Sequence, residues 1–341
     1  MGEVITVGLD LAKSVFQAHG ADASGEVVFR KKLRREQVLA FFAKLPCCLV
    51  AMEACASAHH WAREIGALGH QTRLIPPAYV KPFVKRQKND MADAEAICEA
   101  AQRPTMRFVI PKSAEAQAAA VIFRTRDLLV RQRTQLISAL RGHLAEFGHI
   151  ARKGPGHVAK LIELVRDPEA DLPAEARLVL IIAVEALEAL QARIAVLDRQ
   201  ILARAKASAL ARRLMTIPGV GPVLATAMVA LAPQPSAFRR GRDFAAWVGL
   251  TPRQHSSGGK ERLGRTTKMG ERSLRRLLIL GASSVAQMAA RKGAADPWLA
   301  RMLARKPRML VTVALANKMA RIVWALMARG GSYRAPITAA A

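Results

Sequence analysis

The sequence predicts an α/β N-terminal domain with a mixed sheet, then a long helical coiled-coil region, then an all-α C-terminal domain. Three observations predict it. Short apolar runs alternate with helical patterns as far as Ala101. Two long stretches follow, 113–150 and 173–208, the second near heptad spacing. Beyond Leu214 the periodicity is helical except for one glycine-rich loop. The expected domain limits are 1–112, 113–208 and 209–330, with a flexible tail at 331–341.

The run 4–10 is apolar, β-branched and ends on Asp10, which reads as a buried strand with a carboxylate at its mouth. Such a charge is costly unless something pairs with it, and carboxylate oxygens suit Mg²⁺. Residues 15–19 alternate as a second strand, 22–26 turn on Ser24-Gly25, and 27–33 form a third. A helix at 35–45 stops at Pro46. A fourth strand, 47–53, also ends on an acid, Glu53. A helix at 57–68, a strand at 72–75 closed by Pro76-Pro77, and a helix at 90–101 complete the series. Three strands, helix, strand, helix, strand, helix is the order of a ribonuclease H-like fold.

In such a sheet the ends of the first and fourth strands lie side by side, so Asp10 and Glu53 face one crevice. Asp90 and Asp93 are three apart and share a helix face that can close it. Four converging carboxylates repel one another unless cations are bound. Two Mg²⁺ ions roughly 4 Å apart serve phosphoryl transfer. The plainer reading of Asn89, Asp90 and Asp93 is a capped helix start. Lys81, Lys85, Arg86 and Lys88 either hold phosphates or form a solvated face.

The 341-residue chain carries 53 Lys and Arg against 26 Asp and Glu, a net charge of +27. That excess points to a polyanion, with DNA or RNA ahead of an anionic membrane surface. Aromatics are only 5%, which favours phosphate contacts over base-stacking platforms. Cys47, Cys48, Cys55 and Cys98 lack metal spacing and read as small core residues of a reduced cytosolic protein. Glu3 and Asp10 interrupt any secretory signal, and Lys318 and Arg321 break the apolar run 311–327, so no membrane span is expected.

In the middle, Val121, Leu128, Leu129, Gln132, Leu136 and Leu140 mark a helical stripe, and Leu180, Val184, Leu187, Leu190, Ile194, Leu197 and Ile201 a second. The break at 153–156 makes an antiparallel helix hairpin the expected arrangement. Further on, Ile217-Pro218-Gly219-Val220-Gly221-Pro222 reads as a helix-hairpin-helix turn. Gly219 and Gly221 there let backbone N–H groups approach a phosphate. The least ordinary stretch is 251–270. His255, Ser256 and Ser257 sit among glycines with Arg253, Lys260, Arg262, Arg265 and Lys268, and Arg272, Arg275 and Arg276 open the next helix. A serine in a cationic loop can attack a phosphodiester while the arginines hold the developing charge. From the sequence alone, Ser-Ser-Gly-Gly is far more often a flexible turn. The stretch 273–327 reads as helical packing.

Gly8-Leu9-Asp10, Met52-Glu53-Ala54-Cys55, Asn89-Asp90 with Asp93-Ala94, Ile217-Pro218-Gly219-Val220-Gly221, Gly249-Leu250-Thr251-Pro252 and Ser257-Gly258 together resemble the insertion-sequence one-ten family of DEDD transposases, along essentially the whole chain. The resemblance implies a RuvC-like N-terminal domain, a coiled-coil insertion and a C-terminal transposase domain. It implies that Asp10, Glu53, Asp90 and Asp93 bind Mg²⁺, and that Ser257 is the nucleophile forming a phosphoserine link to DNA. Ser256 beside it stays open as an alternative. It implies DNA partners at element ends and target, a guide RNA encoded by the element, and homo-oligomers, dimeric or tetrameric, in the bacterial cytoplasm at the nucleoid. The alternative function is a RuvC-type Mg²⁺-dependent nuclease or resolvase that hydrolyses with water, which leaves the serine loop unexplained. A non-catalytic nucleic-acid binder and a sugar-kinase-like ATPase are weaker, the first because all four acids are present, the second because no glycine-rich phosphate loop occurs in the first domain.

Overall fold

The computed structural model describes residues 2–85, 89–152, 154–293 and 296–335. It divides into two compact units, 1–117 and 118–341.

The first unit is a mixed α/β domain built on a five-stranded sheet, β1 (Thr6–Asp10), β2 (Val15–Ala21), β3 (Val27–Arg34), β4 (Leu49–Glu53) and β5 (Gln71–Ile75), in the order β3-β2-β1-β4-β5. β1, β2 and β3 are antiparallel neighbours, whereas β4 runs parallel to both β1 and β5. Its helices are α1 (Val38–Phe42), α2 (Ala58–Ala67), α3 (Pro77–Val80) and α4 (Asp90–Ala101). Strand side chains alternate between faces. Val7, Leu9, Val50, Met52 and Leu74 pack with Phe42, Trp61 and Ile65 on one face. Ala51 and Ile75 pack with Ala96, Ile97 and Ala100 of α4 on the other. Both faces are covered, so apart from Thr6 and the terminal acids β1 and β4 are apolar rather than alternating.

Two expected boundaries move. The fourth strand starts at Leu49, not Cys47, and the helix expected at 35–45 is a 3₁₀ turn at Arg35–Gln37 followed by the short α1. Cys48 donates its backbone N–H to His70 Nδ1 at 3.3 Å, while its carbonyl accepts from the Gln71 N–H at 3.1 Å.

The second unit is helical. α5 (Ala114–Glu146) enters it, followed by α6 (Val158–Arg166), α7 (Ala174–Ala207), α8 (Ala209–Leu214), α9 (Pro222–Leu231) and α10 (Gly241–Val248). A two-stranded hairpin, β6 (Pro252–Gln254) and β7 (Leu263–Thr266), precedes α11 (Arg272–Lys292), α12 (Pro297–Arg305) and α13 (Arg308–Arg329). α5 and α7 run antiparallel. Arg126 meets Asp198 at 2.5 Å, Phe123 shares a core cluster with Ile201, and Leu140 and Leu144 share another with Val184 and Leu187. Val121 and Leu128, expected in the α5 stripe, are exposed, and Ala120 and Phe123 are buried instead. α6 lies between the two long helices that the sequence predicts, where no helix is expected. The helical stretch 273–327 is three helices, interrupted at Gly293 and Pro307.

α13 is long and apolar enough, by length and composition, to cross a membrane, against the sequence expectation. It serves as a core helix here, with Val311, Leu315, Met319 and Val323 buried among α9, α10 and α11 residues. Of the tail expected to be flexible, 336–341 lies outside the described residues.

Candidate active site

The first unit gathers its acids by strand register. Gly8 pairs with Ala51 across β1 and β4, and two residues on are Asp10 and Glu53. Both therefore lie on the sheet face that α4 covers. Gly8 makes the close approach possible: a Cβ there would stand 2.2 Å from the Ala94 carbonyl oxygen and 2.5 Å from the Cys98 nitrogen. α4 thus rests directly on the β1 backbone, and its first turn reaches Asp10. Asn89 caps α4, its side chain accepting from the Ala92 N–H at 2.8 Å. Capping is therefore not the task of Asp90 or Asp93. Their carboxylates lie in the first turn, where the helix dipole favours negative charge.

Oxygens of Asp10, Asp90 and Asp93 lie within 4.8 Å of one another. Burial pushes the Asp10 carboxyl up to about 6, with further lifts from the charges of Asp93, Asp90 and Glu53. Glu53 stands at the next strand end and adds its field without joining the tight trio. An all-oxygen, carboxylate-rich donor set fits a hard divalent cation such as Mg²⁺. Asp10, Asp90 and Asp93 would hold it, with Glu53 beside them.

Two predictions follow from this geometry. Gly8→Ala forces α4 off β1 and should lower the melting temperature, overpacking of this kind costing about 1–3 kcal/mol. It should also abolish any Mg²⁺-induced thermal shift; a shift of wild-type size would refute the packing account. The second concerns pH. A folded-state pKa above the unfolded value means that ionisation opposes folding. The Asp10 contribution is present below pH 3.8 and lost as pH rises through about 6. In chelator, Asp10→Asn should therefore melt higher than wild type near pH 8 and gain little near about pH 4. Equal differences at both pH values would contradict the shift.

Of the basic residues before α4, Lys85 is engaged by Glu95 at 2.5 Å. Lys81 is exposed, and Arg86 and Lys88 lie outside the described residues.

In the second unit the stretch expected as a loop is a β-hairpin. β6 and β7 pair antiparallel, and their short, exposed strands carry no apolar alternation. Gly258 and Gly259 have φ of +56° and +75°, and the Lys260 N–H donates to the Ser257 carbonyl at 3.1 Å. That is the pattern of a tight type I′ turn, which explains the glycine pair. Ser256 and Ser257 now separate. Ser256 Oγ accepts from the Arg262 N–H at 3.2 Å and belongs to the hairpin. Ser257 is exposed, and among the described residues nothing hydrogen-bonds its hydroxyl. A Cβ on Gly264 would stand 2.9 Å from the His255 ring.

Lys260 and Arg262 are exposed near this tip, and Arg265, Lys268 and Arg272 are exposed along the second strand and at the hairpin base. Arg253 is exposed too, its guanidinium 3.4 Å from the Thr267 carbonyl. Arg275 and Arg276 are not free cations. Arg275 donates to the carbonyls of Val248 and Met269 at 2.9 and 2.8 Å, tying the hairpin base to α10, and Arg276 pairs with Asp127. Beside the hairpin a cavity of about 580 Å³ is lined by Arg253, His255, Leu263 and Met269 among others. The two glycines of the 217–222 turn also differ. Gly219, at φ +83°, is pressed against the Gly281 carbonyl of α11, so its missing side chain serves packing. Gly221, the N-cap of α9, faces open space.

Two family models match the chain. A DEDD transposase model covers residues 7–149, and the model described as "Transposase IS116/IS110/IS902 family" covers 211–297. A "Probable family 20 transposase" of Pseudomonas aeruginosa is 53% identical over 331 residues, spanning 96% of this chain and 98% of the relative. The chain belongs to the IS110 family of insertion-sequence transposases. Other relatives in this family are the transposase for insertion sequence element IS1328 of Yersinia enterocolitica, 38% identical over 97% of this chain and 98% of its own length, and that for IS1111A of Coxiella burnetii, 39% identical over 98% and 92%. Membership implies DNA transposition or recombination at element ends.

Proposed function

We propose that this transposase cuts and rejoins DNA through a phosphoserine intermediate on Ser257. The observation that carries the reading is the exposed Ser257 hydroxyl, which nothing among the described residues hydrogen-bonds, at the tip of a cationic hairpin. Arg253, Lys260, Arg262, Arg265, Lys268 and Arg272 neutralise backbone phosphates along the hairpin and hold the strand against it. Ser257 Oγ attacks the scissile phosphorus and yields its proton to a base at the site. The bond from phosphorus to the leaving sugar oxygen breaks, and that oxygen takes a proton. In rejoining, a DNA hydroxyl attacks the phosphoserine and Ser257 Oγ leaves, regaining its proton. The energy of the phosphodiester is kept in the serine ester, which hydrolysis would lose.

Asp10, Glu53, Asp90 and Asp93 are the proposed Mg²⁺ ligands, and the bound ion supplies positive charge to the oxygens around the scissile phosphorus. The strand order of the first unit and the placement of its acids support a ribonuclease H-like, RuvC-like domain at 1–112. The antiparallel α5 and α7 support a coiled-coil arm within 113–208, and Gly221 at the α9 N-terminus supports a helix-hairpin-helix phosphate contact within 209–330. Base reading falls to an element-encoded guide RNA, in keeping with a charge of +27 and few aromatics. In a dimer or tetramer, the serine of one copy meets the carboxylates of another.

Incubating the protein with Mg²⁺, element-end DNA and its RNA, then denaturing, should give a slow-migrating covalent protein–DNA species. Cleavage without any such species would favour water as nucleophile, as in a resolvase-type nuclease.

A further inference from the structure

α12 carries a second cationic site that the serine chemistry does not use. Trp298, Arg301, Met302 and Arg305 recur at intervals of three and four residues, so they share one helix face. With Lys306 they line a cavity of about 440 Å³, inside the range of roughly 300–1,000 Å³ in which small-ligand sites fall. Between Pro297 and Leu310 there is no acid, but there are four cations: Arg301, Arg305, Lys306 and Arg308. Among the described residues none of the three lining cations has an ion-pair partner. The indole is fixed in place. Lys318 Nζ stands 4.5 Å from its ring centroid, Asp296 holds that ammonium at 2.6 Å, and the Asp296 carboxylate also accepts the Trp298 backbone N–H at 2.9 Å. Leu299, the next residue along, is buried in the core and anchors the helix.

Trp298 is half-buried against the core with Lys318 over its ring, and the part of the indole that lines the cavity, beside three cations without ion pairs, suits a base next to its phosphates. Base–aromatic stacking needs a base that is not already stacked on both sides within a duplex. We propose that this cavity captures one unpaired nucleotide of a single-stranded segment, its base on Trp298 and its flanking phosphates on Arg301, Arg305 and Lys306. A protein rich in charge but poor in aromatics thereby gains one point that distinguishes single strands from duplex. This site is independent of the phosphoserine reading, because it needs neither Ser257 nor metal.

The test uses the full chain in EDTA, so that no strand transfer occurs. Its probes are labelled oligo-dT and oligo-U of about ten nucleotides and a blunt duplex of mixed sequence. Trp298→Ala should weaken single-strand binding by about 5- to 100-fold and leave duplex binding within about 3-fold, whereas Trp298→Phe retains most of the single-strand affinity. Arg305→Gln with Lys306→Gln should flatten the dependence of log affinity on log salt by about 1.4 for single strands. A stronger loss on oligo-U than on oligo-dT identifies RNA as the occupant, and the reverse identifies DNA; either supports the site. Unchanged single-strand binding in Trp298→Ala overturns it. So does an equal loss for strand and duplex, or a Trp298→Phe variant as weak as Trp298→Ala.

Discussion

Ser257→Ala should abolish the covalent protein–DNA species and reduce strand exchange by at least about 10³-fold, as loss of a nucleophile does elsewhere. DNA binding should be retained, because the cations around the tip remain. The type I′ turn should be retained as well, since its demands fall on Gly258 and Gly259. Ser256→Ala is the informative companion. Ser256 Oγ accepts from the Arg262 N–H, so its loss loosens the hairpin and removes one hydrogen bond, worth about 1 kcal/mol. Exchange should fall modestly and the covalent species should persist. A denaturing gel with both variants reads the outcome. Full activity in Ser257→Ala with none in Ser256→Ala would move the nucleophile by one residue.

Asp10→Asn should be as severe for chemistry yet opposite for stability. It removes the acid at the centre of the trio and its field, and strand exchange should fall at least about 10²-fold. The same substitution relieves repulsion in the metal-free protein, so the variant should melt higher than wild type at neutral pH in chelator. Mg²⁺ should raise the wild-type melting temperature and leave that of Asp10→Asn unmoved. The pairing of lost activity with gained stability separates a functional acid from a structural one. Removing a structural carboxylate would lower both.

The sequence disclosed the acids because their settings are local. β1 is a run of apolar residues stopped by a carboxylate, and α4 starts one residue after an asparagine that caps it. Register then follows from two parallel strands that both end in acids. What the sequence hid depends on close approach in space. Nothing near Gly8 tells that α4 lies against its backbone, and nothing near Gly219 tells that its partner is Gly281. The hairpin β6–β7 has the sequence pattern of a loop because its strands are short and exposed, without the alternation that a buried face imposes. Arg275 could not be told from its neighbours by composition. An arginine that satisfies two carbonyls and one that holds a phosphate carry the same letter. On α5, helical period alone allowed Val121 and Leu128 to be buried, whereas the face that packs carries Ala120 and Phe123.

Mapping the covalent link tests the central claim most directly. Element-end DNA nicked beside the scissile phosphate traps the intermediate, and proteolysis followed by mass spectrometry locates the phosphonucleotide. The expected result is a single modified peptide from the β6–β7 hairpin, with the added mass on Ser257. Modification on any other residue, or complete cleavage with unmodified peptides throughout, would contradict the assignment of the hairpin serine as the group that attacks DNA.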